Sequence, residues 1–394
     1  MTILRIIRVK VNIQMLSRME SPMNLKVHGQ GVFIFNTAGP CVINFLNING
    51  ARVLAAEFTT TSVVAVTTMR LIDPDNTLGL STLPGAYYWF SVDAQNQLLY
   101  AGVGEARLET AIYKFKLPAD QKALLESIVM VDAHVTPIKL LKDPVTSKVA
   151  LRIREMDEIT MEHIAKGVYM PLANLSATSQ KLYRCIAGKQ FQLNDRDFPD
   201  FAKAIQRSIV TPGLWCHEKL KDKANEFSKD KPNLAETYLR ITLGQNNGES
   251  PGIPYVMEIW PAGHYSPIHS HAAADAIIRV LHGSIHVKLF PFLCASTDGV
   301  EPFSSAHFKK DERTWISPTL NQVHQLKNVT NDVCVTIQCY MYEDKDKAHY
   351  DYFDYLDENG EEQQYEPDSD MGFVEFKDLI RKEWAQRPRW SCFS

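Results

Sequence analysis

The sequence has no CxxC pair. Its seven cysteines, Cys41, Cys185, Cys216, Cys294, Cys334, Cys339 and Cys392, are scattered singly and odd in number. That pattern excludes a disulfide framework and fits reduced thiols in a cytosol-like compartment. No apolar run reaches the roughly 18–20 residues a helix needs to cross a bilayer. Positive charge is not in excess either: 42 Lys+Arg stand against 46 Asp+Glu, a net of −4. A general nucleic-acid binder, which needs a basic face, is therefore excluded. Charged residues at 22% and hydrophobic residues at 45% exclude wholesale disorder. What is present is a chain of 394 residues, enough for two or three domains of roughly 150 residues each. It reads as a soluble, multidomain protein.

The first nineteen residues hold Arg5, Arg8, Lys10 and Arg18 and no acid before Glu20. They lack the cleavage site and long apolar core of a secretory signal. The expectation is a cytoplasmic protein whose strand text begins after an alternative start at Met15, Met19 or Met23, with organelle import left open by the basic composition.

From Val27 to about Leu117 the text is strand-like, rich in β-branched and aromatic residues punctuated by Gly, Pro, Asn and Asp. An antiparallel sandwich is the natural packing. AYYWFSVDAQNQLLYAGVG predicts a hairpin turning at Asp93–Asn96. If exposed, Tyr87, Tyr88 and Trp89 would stack on a carbohydrate or other ligand; such residues more commonly fill a sandwich core. Between Pro118 and Arg240 the spacing becomes helical in DQKALLESIV, MDEITMEHIAKGV and DFPDFAKAIQRSI. KLKDKANEFSKDKPN reads as a lysine-rich surface stretch. Strand signal returns from Tyr238 to about Tyr342. Glu343 to Asp370 carries twelve acids against two lysines and reads as a solvated loop anchored by tyrosines. FVEFKDLIRKEWAQ predicts a closing helix.

Seven of the twelve histidines fall between His264 and His324. Ile268-His269-Ser270-His271 follows the strand text YVMEIW and the turn Pro261–Gly263. Residues i and i+2 of a strand share a face, so His269 and His271 can meet one metal ion. Gly263, five residues, His269-Ser270-His271 and eleven residues to Gly283 follow the first cupin motif. His324 with Asn328 four residues on follows the end of the second. Three imidazoles would converge inside a small antiparallel barrel, and that fold implies a metal but not a reaction. The usual cupin carboxylate ligand falls at Ala276, which cannot bind; strand alternation turns the adjacent Asp275 to the other side. Imidazole suits Fe, Zn, Cu or Ni, and open positions suit iron with oxygen. His264, His282 and His286 read as surface or supporting residues. Cys334 and Cys339, five apart on one strand, read as packing residues on opposite faces.

On these residues the chain from about Ser179 to the C-terminus resembles the thiol dioxygenases, cysteine dioxygenase in particular. Trp260, Gly263, His264 and the His269–His271 run carry the resemblance, with Tyr238-Leu-Arg240 upstream and Thr336, Gln338 and Tyr340 downstream. It implies Fe(II) held by His269, His271 and His324, and oxidation of a small thiol to its sulfinic acid with O2. It implies that Arg240 grips the substrate carboxylate beside Tyr238 and Trp260, and that Tyr340, oriented by Gln338 and Thr336, steers the oxygen chemistry. Arg240 favours an α-amino acid such as cysteine. Two positions depart: Ala276 stands where animal members have a cross-linking cysteine, and Gln338 stands where the family has a relay histidine.

The expected organisation is thus mainly β. An extension (1–26) precedes a β-rich, sandwich-like domain (27–150). A helical connector with barrel-leading helices (151–237) leads to a cupin domain (238–394) that carries the acidic segment and closing helix. Two rivals remain, a metal cupin of another reaction class (isomerase or lyase) and a non-catalytic binding protein.

Overall fold

The structure is a computed structural model that describes residues 22–67, 71–72, 79–227, 231–246, 253–295, 300–341 and 353–388. The basic N-terminus, Cys392 and acidic residues 343–352 lie outside the described residues. Among those described, no helix is long and apolar enough to cross a membrane. The chain divides into two compact units, residues 1–82 with 86–146, and residues 83–85 with 147–394.

The first unit packs two antiparallel sheets. One runs Met23–Asn24, Met130–Ala133, Cys41–Leu46, Arg52–Phe58, Val63–Thr67 and Leu71–Ile72; the other runs Thr136–Leu141, Gln30–Asn36, Tyr88–Asp93, Leu98–Val103 and Ala111–Lys116. Alternating aromatics from the two sheets meet in the core: Phe35 on Phe58 at 5.1 Å and Phe45 on Phe90 at 5.4 Å. Tyr88 is buried there at 3% exposure, and Trp89, at 0%, is buried on the other face of its sheet against Val32, Ile34 and Tyr100, which removes both as a stacking platform for carbohydrate. The predicted hairpin is present, its turn fixed by Asn96 N–H donating to Asp93 Oδ1 at 3.0 Å. DQKALLESIV yields only a five-residue helix, Lys122–Glu126, and VDAHVTPIKLL after it supplies strands to both sheets. The β-branched content of that stretch outweighed its neighbours' helical spacing.

The second unit is a double sheet backed by helices. Six strands lie in the order Arg313–Ile316, Asp275–His282, Cys334–Met341, Ile253–Trp260, Leu239–Asn246 and Met371–Gly372. Three more, Ser304–Lys309, Ser284–Phe290 and Val323–Lys327, form the facing sheet. Among the described residues no continuous ladder closes the two sheets into a barrel; isolated bridges include Tyr265 to Lys327 and His269 to His324. Strand alternation divides the large sheet cleanly. Val335, Ile337 and Cys339 join Ile241, Ile259 and Ile277 against the helices Ala177–Ile186, Phe201–Val210, Trp215–Asp222 and Phe373–Ala385. Trp260, Val280 and Cys334 turn to the facing sheet, meeting Val287, Leu289 and Leu326. Cys334 and Cys339 accordingly serve opposite faces.

Two sequence expectations change here. Lys223, in the stretch read as lysine-rich surface, is buried and paired with Asp370 at 3.1 Å. The described part of the acidic segment is not only loop: Phe353–Leu356 and Glu362–Tyr365 form a hairpin. Its aromatic side of Phe353, Tyr355 and Tyr365 faces inward because every second residue is apolar.

Candidate metal centre

Backbone pairing places the three histidines. His269 N donates to His324 O at 3.1 Å and His324 N donates back at 3.0 Å, so the third imidazole sits directly opposite the HxH pair. The flanking turns are strained, with Ala272, Ala273 and Asn321 at φ of 47°, 62° and 62°. Gln322 braces one to the other, accepting from Ala273 N and donating to Ala274 O, each at 3.0 Å. Left-handed non-glycine residues persist only where surrounding structure holds them, and here that structure fixes ligand positions.

The ligand atoms of His269, His271 and His324 lie within 4.8 Å of one another. Burial keeps all three imidazoles neutral, reinforced for His271 and His324 by neighbouring imidazoles. His269 falls to about 4, and the other two fall well below the usual range. The Nδ1 of His269 faces Pro267 O at 3.0 Å and that of His324 faces Asn321 O at 3.4 Å. This assigns their protons to Nδ1 and leaves Nε2 as the donor atom. His271 Nε2 lies 3.1 Å from His324 Nε2, and His271 Nδ1 is buried with no hydrogen-bond partner. Two imidazole nitrogens facing each other at this distance, with the His269 ligand atom within 4.8 Å, are what a divalent cation satisfies. The residues fit a metal ion.

Asp275 behaves as alternation requires. It turns away and accepts from Ser179 Oγ at 2.6 Å and Ser176 Oγ at 3.1 Å at the start of helix Ala177–Ile186. Ala276 stands directly across from Tyr340. No carboxylate joins the three imidazoles among the described residues.

The other predicted site residues line one cavity of about 20 Å³ with the histidines, except Thr336. Tyr238 stacks on Trp260 at 4.3 Å, and Tyr340 stacks on His271 at 5.6 Å. Tyr340 O–H donates to Gln338 Oε1. Thr336 stands apart, its hydroxyl accepting from the Trp260 indole at 3.2 Å. His264 binds Thr237 O through Nδ1 at 2.9 Å, while His286 stacks on the exposed His307 at 4.4 Å. Neither joins the three-histidine group.

One residue lining the cavity escaped sequence reasoning. Glu258, inside the text YVMEIW, shares the inward face with Trp260 and is 4% exposed. It pairs with Arg240 Nη1 at 3.3 Å and accepts the Gln338 amide. The strand register explains this: Arg240 is the direct neighbour of Glu258, and Gln338 lies two residues from its partner Thr336 on the other side. Burial pushes the Glu258 carboxyl up to about 7 against the pull of Arg240 and Lys223. A lone acid amid apolar strand residues, two before the tryptophan, was the signal available.

The second unit is a mainly β double sheet that carries a three-histidine group.

No family model matches the chain, and no curated protein does. Solved structures that overlap it include the cupin domain of an XRE-family transcriptional regulator from Enterobacter cloacae, at 13% identity and TM-score 0.21, covering 27% of this chain and 96% of that one. The Schizosaccharomyces pombe Cnp3 cupin domain overlaps at 15% identity and TM-score 0.22, covering 27% and 65%. An oxalate oxidase solved with the substrate analogue glycolate overlaps at 19% identity and TM-score 0.21, covering 28% of this chain and about half, 52%, of its own. Likenesses at these scores carry no argument about chemistry, which rests on the residues above.

Proposed function

We propose that the protein is an Fe(II)-dependent thiol dioxygenase converting a small thiol and O2 to a sulfinic acid, RSH + O2 → RSO2H. The observation that carries this reading is the buried, neutral three-imidazole group with alanine where a fourth, carboxylate ligand would stand. His269, His271 and His324 would hold the ion. When bound, ferrous iron supplies positions for thiolate and O2 and lowers the thiol pKa.

The rest is the work of this chain's residues. Tyr238, Trp260, Phe353 and Tyr355 exclude water from the cavity. Tyr340 is held by Gln338 on one side and His271 on the other, so its hydroxyl is a fixed hydrogen-bond donor beside the imidazoles. Burial keeps that hydroxyl protonated. Gln338 in turn is anchored by Glu258, so a glutamine does here the orienting that the resemblance assigns to histidine.

The test is O2 uptake by iron-loaded protein across a panel of small thiols, with sulfinate formation measured directly. Stoichiometric uptake with any of them supports the reading. Purified protein carrying zinc or manganese, with no thiol-dependent uptake, favours the second reading, a lyase or isomerase. Glu258 supports that alternative, since a buried carboxyl near 7 inside a metal cavity is suited to general-base work.

A further inference from the structure

The resemblance makes Arg240 the grip for a substrate carboxylate, yet in this protein Arg240 already faces one. Its Nη1 lies 3.3 Å from Glu258 Oε1, and both side chains are buried, at 8% and 5% exposure. Glu258 is not a loose neighbour that a ligand displaces. Its second oxygen accepts the Gln338 amide, and Gln338 accepts Tyr340. The carboxylate is thus held from two strands, at Arg240 and Gln338, by the sheet's own register.

Charge decides the consequence. Arg240 and Glu258 together sum to zero, so the guanidinium has no charge left to pair a substrate carboxylate, which would sit as a second carboxylate on the one cation. Among the described residues that line the cavity, Arg240 is the one guanidinium or ammonium group, and the rest of the wall is largely aromatic, so no second cation is there to receive a carboxylate.

We propose that Glu258 is a specificity-determining residue that cancels the charge of Arg240, so that the site takes small amino thiols lacking a carboxylate. The inference rests on the thiol dioxygenase reading and narrows its substrate class.

The test compares cysteamine with L-cysteine on the full-length, iron-loaded chain. Binding is measured by anaerobic calorimetry, and O2 uptake separately, at about pH 8, above the Glu258 value of about 7. Cysteamine is expected to bind at least about tenfold more tightly, a factor typical of one misplaced charge or lost hydrogen bond. Glu258→Gln, which keeps shape and a bond to Gln338, is expected to shift the ratio about tenfold or more toward L-cysteine, chiefly in KM, with iron content unchanged. Glu258→Leu should move it the same way, and thermal melting checks that both variants fold. A wild-type preference for L-cysteine, or a ratio that Glu258→Gln leaves unmoved, overturns the proposal; O2 uptake would then leave the dioxygenase reading standing. Selective cysteamine binding without O2 uptake upholds the recognition argument and sinks the oxidation. Binding of neither thiol overturns both.

Discussion

Arg107 in the first unit and Arg240 in the second are both buried, at 1% and 7% exposure, and both are paired with carboxylates. Arg107 meets Glu105 at 3.3 Å and Glu109 at 3.1 Å, acids two residues to either side of it. Both of these acids lie within the same five residues of chain as the arginine. Arg240 instead reaches across the sheet, to Glu258 on the next strand and through Gln338 to Tyr340 beyond it, and the set opens onto the cavity that holds three imidazoles. The contrast shows that buried charge alone does not mark a site. A local ion cluster ties down a turn. A cross-strand network facing a cavity has somewhere to put a ligand.

The sharpest way to break this comparison is to disable each side separately. His324→Ala should drop metal content from about one ion per chain to under about a tenth, because two imidazoles do not complete the facial set. Metal analysis after dialysis measures it, and full retention would remove His324 from the ligand set. Arg107→Ala should do the reverse, leaving metal content intact while costing about 3–5 kcal/mol in denaturant unfolding, since two carboxylates lose their buried partner. Gly102→Ala comes next. A Cβ there would meet the Trp89 ring at 2.3 Å, so overpacking should cost about 1–3 kcal/mol with the metal site untouched. Thr336→Val strands the buried Trp260 indole N–H, and about 1 kcal/mol of stability should go with it.

The smallest effect concerns Glu236, whose carboxyl is raised to about 7 chiefly by burial, with Glu358 adding and Asn233 opposing. An acid raised in the folded state binds more protons folded than unfolded between its ordinary value near 4.3 and about 7. Stability therefore falls as pH climbs through that window. Glu236→Gln should raise the melting temperature at pH 8 and leave it nearly unchanged at pH 4; equal gains at both would refute the assignment of cause.

The sequence made the double-sheet core of the second unit readable because period-2 spacing and invariant geometry act together. Residues two apart on a strand must share a face, so His269 and His271 fall together, Asp275 is excluded, and Cys334 and Cys339 separate. Distant pairings were not legible. Nothing local tells that Arg240 will lie beside Glu258 eighteen residues on, or that Lys223 will bury itself against Asp370, because register across a sheet is set by the whole fold. Helix capping depends on the fold in a related way. Asp200 precedes helix Phe201–Val210 but caps nothing with its side chain; Asn194 accepts from Ala202 N instead. The acidic segment reads as a solvated loop anchored by its aromatics; what local composition does not tell is that those aromatics, on one face of the described hairpin, reach the cavity.

The neutrality of the three imidazoles reaches beyond geometry. With Arg240 and Glu258 cancelling, the cavity as folded holds no net charge, so a divalent ion enters with two charges unanswered and a thiolate that follows answers one of them. Reciprocity then requires that the thiol tighten the hold on the metal by the same factor by which the metal tightens the hold on the thiol. Under the proposed reading, the ion would be held most tightly where the thiol is abundant.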